Sequence, residues 1–416
     1  MHAALWCKQV FLQHSLLQDS QEYLQAAHNL LKHGQWYSAE WQAPFKPELF
    51  SKRPPGYPSF LALIEALCGA QNTWFFAMVY LLQNLISIGI IFKLTQWLKP
   101  AIQSLQTPYQ YIALLPGLAL PIYANFLMSE TLLSACIFCI VYCSVKSPFK
   151  NKHWLIIIGA SVLAMLIKPV FMPIAIGLPW VYIVLKKTPA LKTLYLLSLL
   201  PIIVYFGLSK IHQAETGYKH YSSISQINLL HYNTYSLLLY KQGQHEADSI
   251  IDEIRHQAAS QTTYAQQTEY IENNCKSILK NNLGTYSYLH LRGMALACLD
   301  PGKFDYTQIL NLAHTENGLY NINTKGLKRS LWLYLNPLGT WLILVAISKL
   351  ILLLWVLAYA FSKKTPLKEK IIWFIIPILV LGLTGPIGAS RFLVPLLPIY
   401  YAIALKGYHY RRAFNT

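Results

Sequence analysis

The sequence is short of charged residues, and those it has are mostly basic. Asp, Glu, Lys and Arg make up 12% of its 416 residues, against about 25% in an ordinary soluble domain. Hydrophobic residues make up 54% and the mean hydropathy is +0.34, which indicates a chain that lies largely in a membrane. The 34 basic and 17 acidic residues give a formal net charge of +17. Such a surplus is typical of a nucleic-acid partner or of the positive-inside bias of membrane proteins.

Two familiar signals are also missing. The seven cysteines include no CxxC pair, so the sequence offers neither a zinc site nor a thioredoxin-type motif. Cys136, Cys139 and Cys143 have the spacing of one helix face, and packing explains them. No cleavable signal peptide is visible, because the first 18 residues are polar and too short to span a bilayer.

Apolar runs along the chain predict an all-α polytopic membrane protein. They lie at 74–97, 109–128, 131–145, 154–167, 170–185, 193–209, 338–361, 371–385 and 392–405. A membrane-spanning helix needs roughly 17–25 residues, so the ends of the shorter runs are poorly defined. Lys168-Pro169 divides the stretch 154–185, and two spans there keep the neighbouring basic loops on one side of the membrane.

The distribution of charge decides between the two explanations of its excess. With these spans, the short connections on one face are 98–108, 144–153, 186–192, 362–370 and 406–416. Together they hold 14 Lys and Arg and a single acid, Glu369. The positive-inside rule makes this face cytoplasmic. The first 73 residues and the polar segment 210–336 are nearly neutral, so most of the excess is a topology signal and we predict no nucleic-acid partner.

The topology predicts four regions. They are an external loop with amphipathic helices at 1–73, about six spans at 74–209, a small, mainly helical external domain at 210–336, and about three spans with a basic cytoplasmic tail at 337–416. Cys275 and Cys298 both fall in the external domain, where a disulfide is permitted but not fixed by the sequence. The chain then begins outside without a preceding span. Either this segment is tucked in after translation or, as we favour, the natural start lies upstream.

Ionisable residues at the predicted external ends of the spans are the candidates for a functional site. They are Asp19, Arg53, Glu130, Lys168 and Arg391. Ionisable groups at membrane depth are costly, so they usually face a cavity and pair with one another. Two acids and several bases around one cavity suit a reaction between a phosphate and a hydroxyl.

Each candidate also has a purely structural explanation. Asp19 could cap the amphipathic helix that follows it. Arg53 and Arg391 could anchor the chain at the membrane interface. Glu130 could be part of a polar turn, and Lys168 could extend to the membrane surface.

Short motifs containing these residues occur in a characteristic order. Asp19, Tyr23 and Gly34 precede the run RPPGYP at 53–58, and MSET follows at 128–131 and RFLVPLLP at 391–398. In this order they resemble the GT-C superfamily of glycosyltransferases, in particular the branch of protein O-mannosyltransferases and lipid A aminoarabinose transferases. The run LLHYNTY at 229–235 resembles bacterial members less specifically.

The resemblance covers about residues 15 to 410 and implies a GT-C-like transmembrane helix bundle. The chain departs from the family in lacking the first span and in placing its external domain between spans. The implied reaction moves a sugar, with inversion, from a polyprenyl-phosphate-linked donor to a hydroxyl of a lipid, glycan or protein acceptor. The sequence identifies neither the sugar nor the acceptor.

The resemblance also implies roles for individual residues. Asp19 would be the general base that takes the proton of the acceptor hydroxyl. Glu130 and Tyr57 would position the acceptor or the sugar. The ligands of the donor phosphate would be three cations, Arg391, Arg53 and Lys168.

No cofactor is expected to be required and no metal site is predicted, although paired acids could bind a divalent metal adventitiously. The implied location, among membrane lipids, is a bacterial inner membrane with the active site on the periplasmic face. Two other functions stay open, a secondary transporter or lipid-linked-sugar flippase, and a non-catalytic membrane scaffold. A transporter should show repeated halves with broken helices, whereas the enzyme requires Asp19 and Arg391 to line one cavity.

Overall fold

The protein is a bundle of α-helices. In a computed structural model, the described residues are 1–12, 16–103, 105, 115–146, 149–186, 192–311, 337–363 and 365–415. Within these ranges the chain contains no β-strand. Three helical segments are long and apolar enough to cross a membrane: Thr73–Gln103, Tyr195–Thr216 and Pro337–Ala360. The predicted all-α polytopic membrane protein is confirmed.

Four helices come first, and the first three of them belong to the predicted external loop. They are α1 (His2–Phe11), α2 (Gln18–His33), α3 (Gly56–Cys68) and α4 (Thr73–Gln103). Helix α2 ends at Gly34, whose φ of 71° belongs to the left-handed region that glycine adopts at helix ends. Helix α4 is about 46 Å long at 1.5 Å per residue, which exceeds the thickness of the hydrocarbon core.

Shorter helices follow α4. They are α5 (Ala119–Tyr123), α6 (Glu130–Ser144), α7 (Asn151–Ile167), α8 (Met172–Lys186), α9 (Lys192–Leu197) and α10 (Leu200–Thr216). The span predicted at 109–128 begins outside the described residues, and its described part is a 3-10 turn, α5 and irregular chain. Pro116 and Pro121 lack the backbone N–H that a continuous helix needs. The described part of this apolar run is therefore not one continuous helix.

The external domain and the last spans complete the bundle. Their elements are α11 (Ile224–Ile227), a π-helix (Asn228–Thr234), α12 (Tyr235–Gln242), α13 (Gln244–Ala259), α14 (Tyr264–Lys280), α15 (Leu283–Leu299), α16 (Lys303–Leu310), α17 (Pro337–Ala360), α18 (Leu367–Leu383) and α19 (Leu397–Asn415). The mainly helical character predicted for the external domain is confirmed up to residue 311. Its remainder, 312–336, lies outside the described residues.

Helix α15 joins the external domain to the membrane bundle. A Cβ atom added to Gly293 would lie 2.6 Å from the carbonyl oxygen of Gly385, and one added to Gly388 would lie 2.7 Å from that of Gly293. Only glycine allows such a close backbone approach. Cys298 of α15 is buried in the main core, whereas Cys275 belongs to a separate core of external helices. Both are free thiols, so the permitted disulfide is not formed.

The two ends of the bundle differ in chemistry. Helix α6 starts at Glu130, and Tyr142 lies about 18 Å further along its axis. There the ring of Trp97 meets Tyr142 edge-on at 5.4 Å and stacks on Trp373 at 5.7 Å. The ammonium of Lys406 lies 5.3 Å from the centre of the Trp373 ring. Segments that border the predicted cytoplasmic loops therefore meet at the end opposite Glu130.

Candidate active site

Five segments of the chain bring five charged side chains together at the Glu130 end of the bundle. Arg53 Nη2 donates to Asp19 Oδ1 at 2.7 Å, and Arg391 Nη2 donates to Asp19 Oδ2 at 2.8 Å. Lys168 Nζ donates to Glu130 Oε1, and Arg391 Nε lies 3.6 Å from the same oxygen. We call these five residues the charged centre. The structure thus places Asp19 and Arg391, which the enzyme hypothesis requires to line one cavity, in direct contact.

Lys168 reaches the charged centre because the chain turns at the proline that follows it. Helix α7 ends at Ile167, and Lys168 has φ −141° and ψ 126°, the extended conformation that a residue before proline prefers. A 3-10 turn, Pro169–Phe171, then leads into α8. The break predicted within 154–185 is therefore present. Lys168 bonds to a buried carboxylate and does not extend to the surface.

Arg53 approaches the same place because Gly56 has no side chain. A Cβ atom added to Gly56 would lie 2.7 Å from the carbonyl oxygen of Leu166, so glycine lets the start of α3 pack directly on the end of α7. The Arg53 guanidinium also lies 4.9 Å from the centre of the Tyr23 ring, a cation–π contact. The Tyr23 hydroxyl is 3.3 Å from Ser129 Oγ.

Asp19 lies in the first turn of α2 but does not cap this helix. The Oγ atom of Ser20 accepts the N–H of Leu17 at 3.0 Å, so a serine side chain binds the backbone at this end. Glu22, one turn beyond Asp19, accepts a hydrogen bond from Arg53 Nε at 2.7 Å. The capping explanation of Asp19 is therefore wrong, and Glu22 is an additional acid that was not among the sequence-based candidates.

Exposure divides the charged centre into an inner and an outer part. The side chain of Glu130 is fully buried, whereas those of Asp19 and Arg391 are 23% and 33% exposed. Burial raises the pKa of Asp19, but the guanidinium groups of Arg53 and Arg391 outweigh burial and hold this pKa well below its usual range. Asp19 is therefore ionised at neutral pH.

Two buried polar atoms of the charged centre have no hydrogen-bond partner in the described part of the chain. They are Glu130 Oε2 and Arg391 Nε. Buried polar atoms are normally paired, and an unpaired one costs about 1–3 kcal/mol. A ligand that both donates and accepts hydrogen bonds would satisfy the two atoms. Across the described ranges, no group of three or more His, Cys, Asp and Glu side chains is placed to hold a metal ion.

A second polar network, absent from the sequence-based candidates, holds the turn that carries Arg391. Ser390 Oγ donates to Asp305 Oδ2 at 2.6 Å, and the Ser390 N–H donates to Asp300 Oδ2 at 2.7 Å. The Tyr123 hydroxyl donates to Asp305 Oδ1 at 2.7 Å. Burial raises the pKa of Asp305 to about 6, although its hydrogen bonds from Ser390 and Tyr123 act to lower it. The backbone beside Arg391 is thereby fixed from two directions.

Two further residues lie behind the charged centre. Tyr57, expected to position the acceptor or the sugar, is fully buried; its hydroxyl donates to Gln83 Oε1 at 2.8 Å and its ring meets Tyr23 edge-on at 4.8 Å. It therefore supports Tyr23 from behind and does not line an open surface. Lys349 of α17 faces the bundle and donates to the carbonyl oxygen of Asp300 at 2.5 Å.

Replacing Glu130 by glutamine is expected to destabilise the protein, because it leaves the Lys168 ammonium without its carboxylate. The Lys168 side chain is only 14% exposed, and removing one partner of a buried ion pair typically costs about 3–5 kcal/mol. We expect a clear fall in the apparent melting temperature in detergent. The double variant Glu130→Gln/Lys168→Met should recover part of the loss.

The matched control for this change is Glu369→Gln at the opposite end of the bundle. Glu369 pairs with Lys406 at 3.0 Å, but both side chains are 39% exposed, and such a pair contributes about 1 kcal/mol or less. Equal falls in melting temperature for the two single variants would contradict the assignment of Glu130–Lys168 as a buried pair.

The fold and the charged centre define a helical integral membrane protein with a polar site at one end of its bundle. No family model and no curated protein matches the chain. Two solved structures are similar to it, those of ArnT from Cupriavidus metallidurans bound to undecaprenyl phosphate and in the apo state. The identities are 13% and 12%, the TM-score is 0.37 for both, and the matches cover 97% of this chain and 76% and 75% of those chains. Values this low assign no family.

Proposed function

We propose that the protein is a glycosyltransferase of the GT-C type, which moves a sugar from a polyprenyl-phosphate-linked donor to an acceptor hydroxyl with inversion at the anomeric carbon. The observation that carries this proposal is the charged centre. Asp19 and Arg391 are separated by 372 positions in the sequence, yet their side chains are in contact. The acidic and basic members of the motifs that resemble GT-C enzymes thus meet at one place.

Arg391 is the first candidate for binding the donor phosphate. It is the most exposed cation of the charged centre, at 33%, and its Nε atom lacks a hydrogen-bond partner among the described residues. A guanidinium can bind phosphate through two parallel hydrogen bonds. A phosphate at this position would compete with Asp19 for Arg391. Lys168 and Arg53 would supply further positive charge behind it.

Asp19 is the proposed general base. Its low pKa keeps it ionised, and the transfer of Arg391 from Asp19 to the donor phosphate would raise its basicity. The acceptor oxygen attacks the anomeric carbon, and its proton passes to the Asp19 carboxylate. The bond between the anomeric carbon and the phosphate oxygen breaks, and its electron pair leaves on the polyprenyl phosphate. The cations of the charged centre stabilise that growing negative charge.

Glu130 has a positioning role in this scheme. Its fully buried side chain holds Lys168 and lies 3.6 Å from Arg391 Nε, so it would orient both cations. The reaction would take place at the external face of the membrane, which is the periplasmic face if the protein belongs to a bacterial inner membrane. The acceptor is a lipid, a glycan or a protein.

The direct test is sugar transfer by the purified chain in lipid nanodiscs. Undecaprenyl phosphate carrying a radiolabelled pentose or hexose is supplied together with an extract of envelope lipids and glycans. We expect labelled sugar to appear on an acceptor while undecaprenyl phosphate is released in equal amount. In proteoliposomes, movement of the intact donor across the bilayer without bond cleavage would support the flippase instead. If no donor is cleaved and none is moved across the bilayer, the result favours the non-catalytic scaffold.

A further inference from the structure

A cavity of about 500 Å³ opens in the external domain, beside the charged centre but separate from it. Ligand pockets in proteins commonly measure 300–1,000 Å³. One wall is formed by α11 and the π-helix and the other by α13 and α14. A π-helix is rare and often marks a functional site, and here it contributes His231 to the lining. The floor is buried at Ala258 and Thr268, whereas Asp252 and Arg255 at the rim are exposed.

The polar groups of this cavity suit a ligand with many hydroxyls. Gln226 Oε1 accepts a hydrogen bond from the Tyr264 hydroxyl at 3.1 Å, whereas Gln226 Nε2 is buried and has no partner within the described ranges. Gln267, whose Nε2 donates to the carbonyl oxygen of Gln261 at 3.2 Å, and His231 also line the cavity. Amide and neutral imidazole groups can each both donate and accept hydrogen bonds, as neighbouring hydroxyls of a sugar ring require.

The charges of the cavity disfavour an anion. Glu48 and Asp252 face a single guanidinium, that of Arg255, which already lies 3.3 Å from Asp252. Burial first, and then the positive charge of Arg255, lower the pKa of His231, so this imidazole adds no positive charge at neutral pH. A phosphate or carboxylate would therefore meet two carboxylates and one guanidinium that is already paired, whereas a neutral ligand can bind the polar groups and the apolar side chains that share the lining.

The cavity adjoins the segment that holds Arg53 in the charged centre. Ser223, which lines the cavity, donates through its Oγ to the carbonyl oxygen of Glu48 at 2.5 Å and through its N–H to that of Ser51 at 3.2 Å. Ser51 precedes Arg53 by two positions, so their Cα atoms lie at most about 7.6 Å apart. The cavity is thus linked to the charged centre through the segment from Glu48 to Arg53.

From these observations we infer that the cavity between the π-helix and helices α13 and α14 binds a neutral saccharide. Its volume admits a disaccharide, and the ring of Tyr264 offers a flat surface to one face of a sugar. If the proposed transferase function holds, this saccharide is the glycan portion of the acceptor. The saccharide site is independent of the donor sugar, which lies at the charged centre.

The test is saturation-transfer difference NMR with the full chain in nanodiscs. The probes are maltose, cellobiose, mannobiose and N,N′-diacetylchitobiose, each with and without inorganic phosphate. We expect a signal for at least one disaccharide that phosphate does not displace. The variant Ala259→Trp should fill the cavity and weaken binding by at least about tenfold, which corresponds to about 1.4 kcal/mol. Gln257→Trp is the matched control, since Gln257 is exposed on the same helix and lies outside the lining.

The outcomes separate this site from the proposed function. Absence of binding for all four disaccharides, displacement by phosphate, or unchanged binding in Ala259→Trp overturns the saccharide site, even if sugar transfer is observed. Binding that is lost in Ala259→Trp and retained in Gln257→Trp and Asp19→Asn supports the site. If the unmodified chain binds a disaccharide in this way but transfers no sugar, the transferase function is overturned while the saccharide site stands.

Discussion

The variant Asp19→Asn should lose sugar transfer by a factor of about 10²–10⁴, the usual contribution of a positioned general base. The amide cannot take the proton of the acceptor hydroxyl, although it keeps the size of the side chain and its one oxygen can still accept a hydrogen bond from Arg53 or Arg391. The loss should appear mainly in kcat, because the donor phosphate is bound by the cations. Initial rates of transfer in nanodiscs at saturating donor measure it.

Glu22→Gln separates the loss of a base from the loss of an anchor for Arg53. Glu22 accepts a hydrogen bond from Arg53 at 2.7 Å, as Asp19 does, but has no contact with Arg391 among those described. We expect Glu22→Gln to retain most of the transfer rate. If it reduces the rate as much as Asp19→Asn does, the role of Asp19 is to position Arg53, and the base assignment is wrong.

Arg391→Gln should lower transfer by about 10²–10³, the typical cost of removing one group that stabilises charge in a transition state. Arg391 donates to Asp19 at 2.8 Å and lies 3.6 Å from Glu130. Its loss therefore also removes a positive charge that offsets the repulsion between these two carboxylates. Because the guanidinium would bind both the donor phosphate and the leaving phosphate, KM for the donor should rise as kcat falls. Steady-state kinetics over a range of donor concentrations separates the two effects.

Arg292→Gln provides the matched control for the loss of one arginine. Arg292 is exposed on α15 and makes no described hydrogen bond or ion pair with the charged centre. Its replacement should leave the kinetics unchanged. Normal transfer by Arg391→Gln would remove Arg391 from the phosphate-binding role and would leave Lys168 and Arg53 as the remaining candidates.

The members of the charged centre were predictable because membrane topology limits where a residue can lie. The basic loops define one face, and every candidate at the opposite ends of the spans is then restricted to a thin layer. Within that layer the cost of an isolated charge favours pairing. Asp19, Arg53, Glu130, Lys168 and Arg391 are indeed in contact. Their chemical roles stay predictions, since contact alone does not identify a base or a phosphate ligand.

Other features could not be predicted because they depend on contacts between distant segments. Nothing in the sequence connects Asp305 with Ser390, yet a 2.6 Å hydrogen bond joins them. Tyr57 belongs to a motif, but packing against Tyr23 turns it away from any open surface. The run at 109–128 is apolar enough for a span, and only its geometry shows that the described part is interrupted.

The sequence by itself determined that this protein is a membrane helix bundle, and it predicted which ionisable residues lie together at one end of that bundle. Composition, hydrophobic run length and charge asymmetry suffice for this, because the bilayer acts on each segment separately. The tertiary structure alone decided which charges pair, that Glu130 lies buried beneath Asp19 and Arg391, and that a polar cavity forms beside them. Those features depend on a close approach of backbones at Gly56 and on side chains hundreds of residues apart, which no local pattern records.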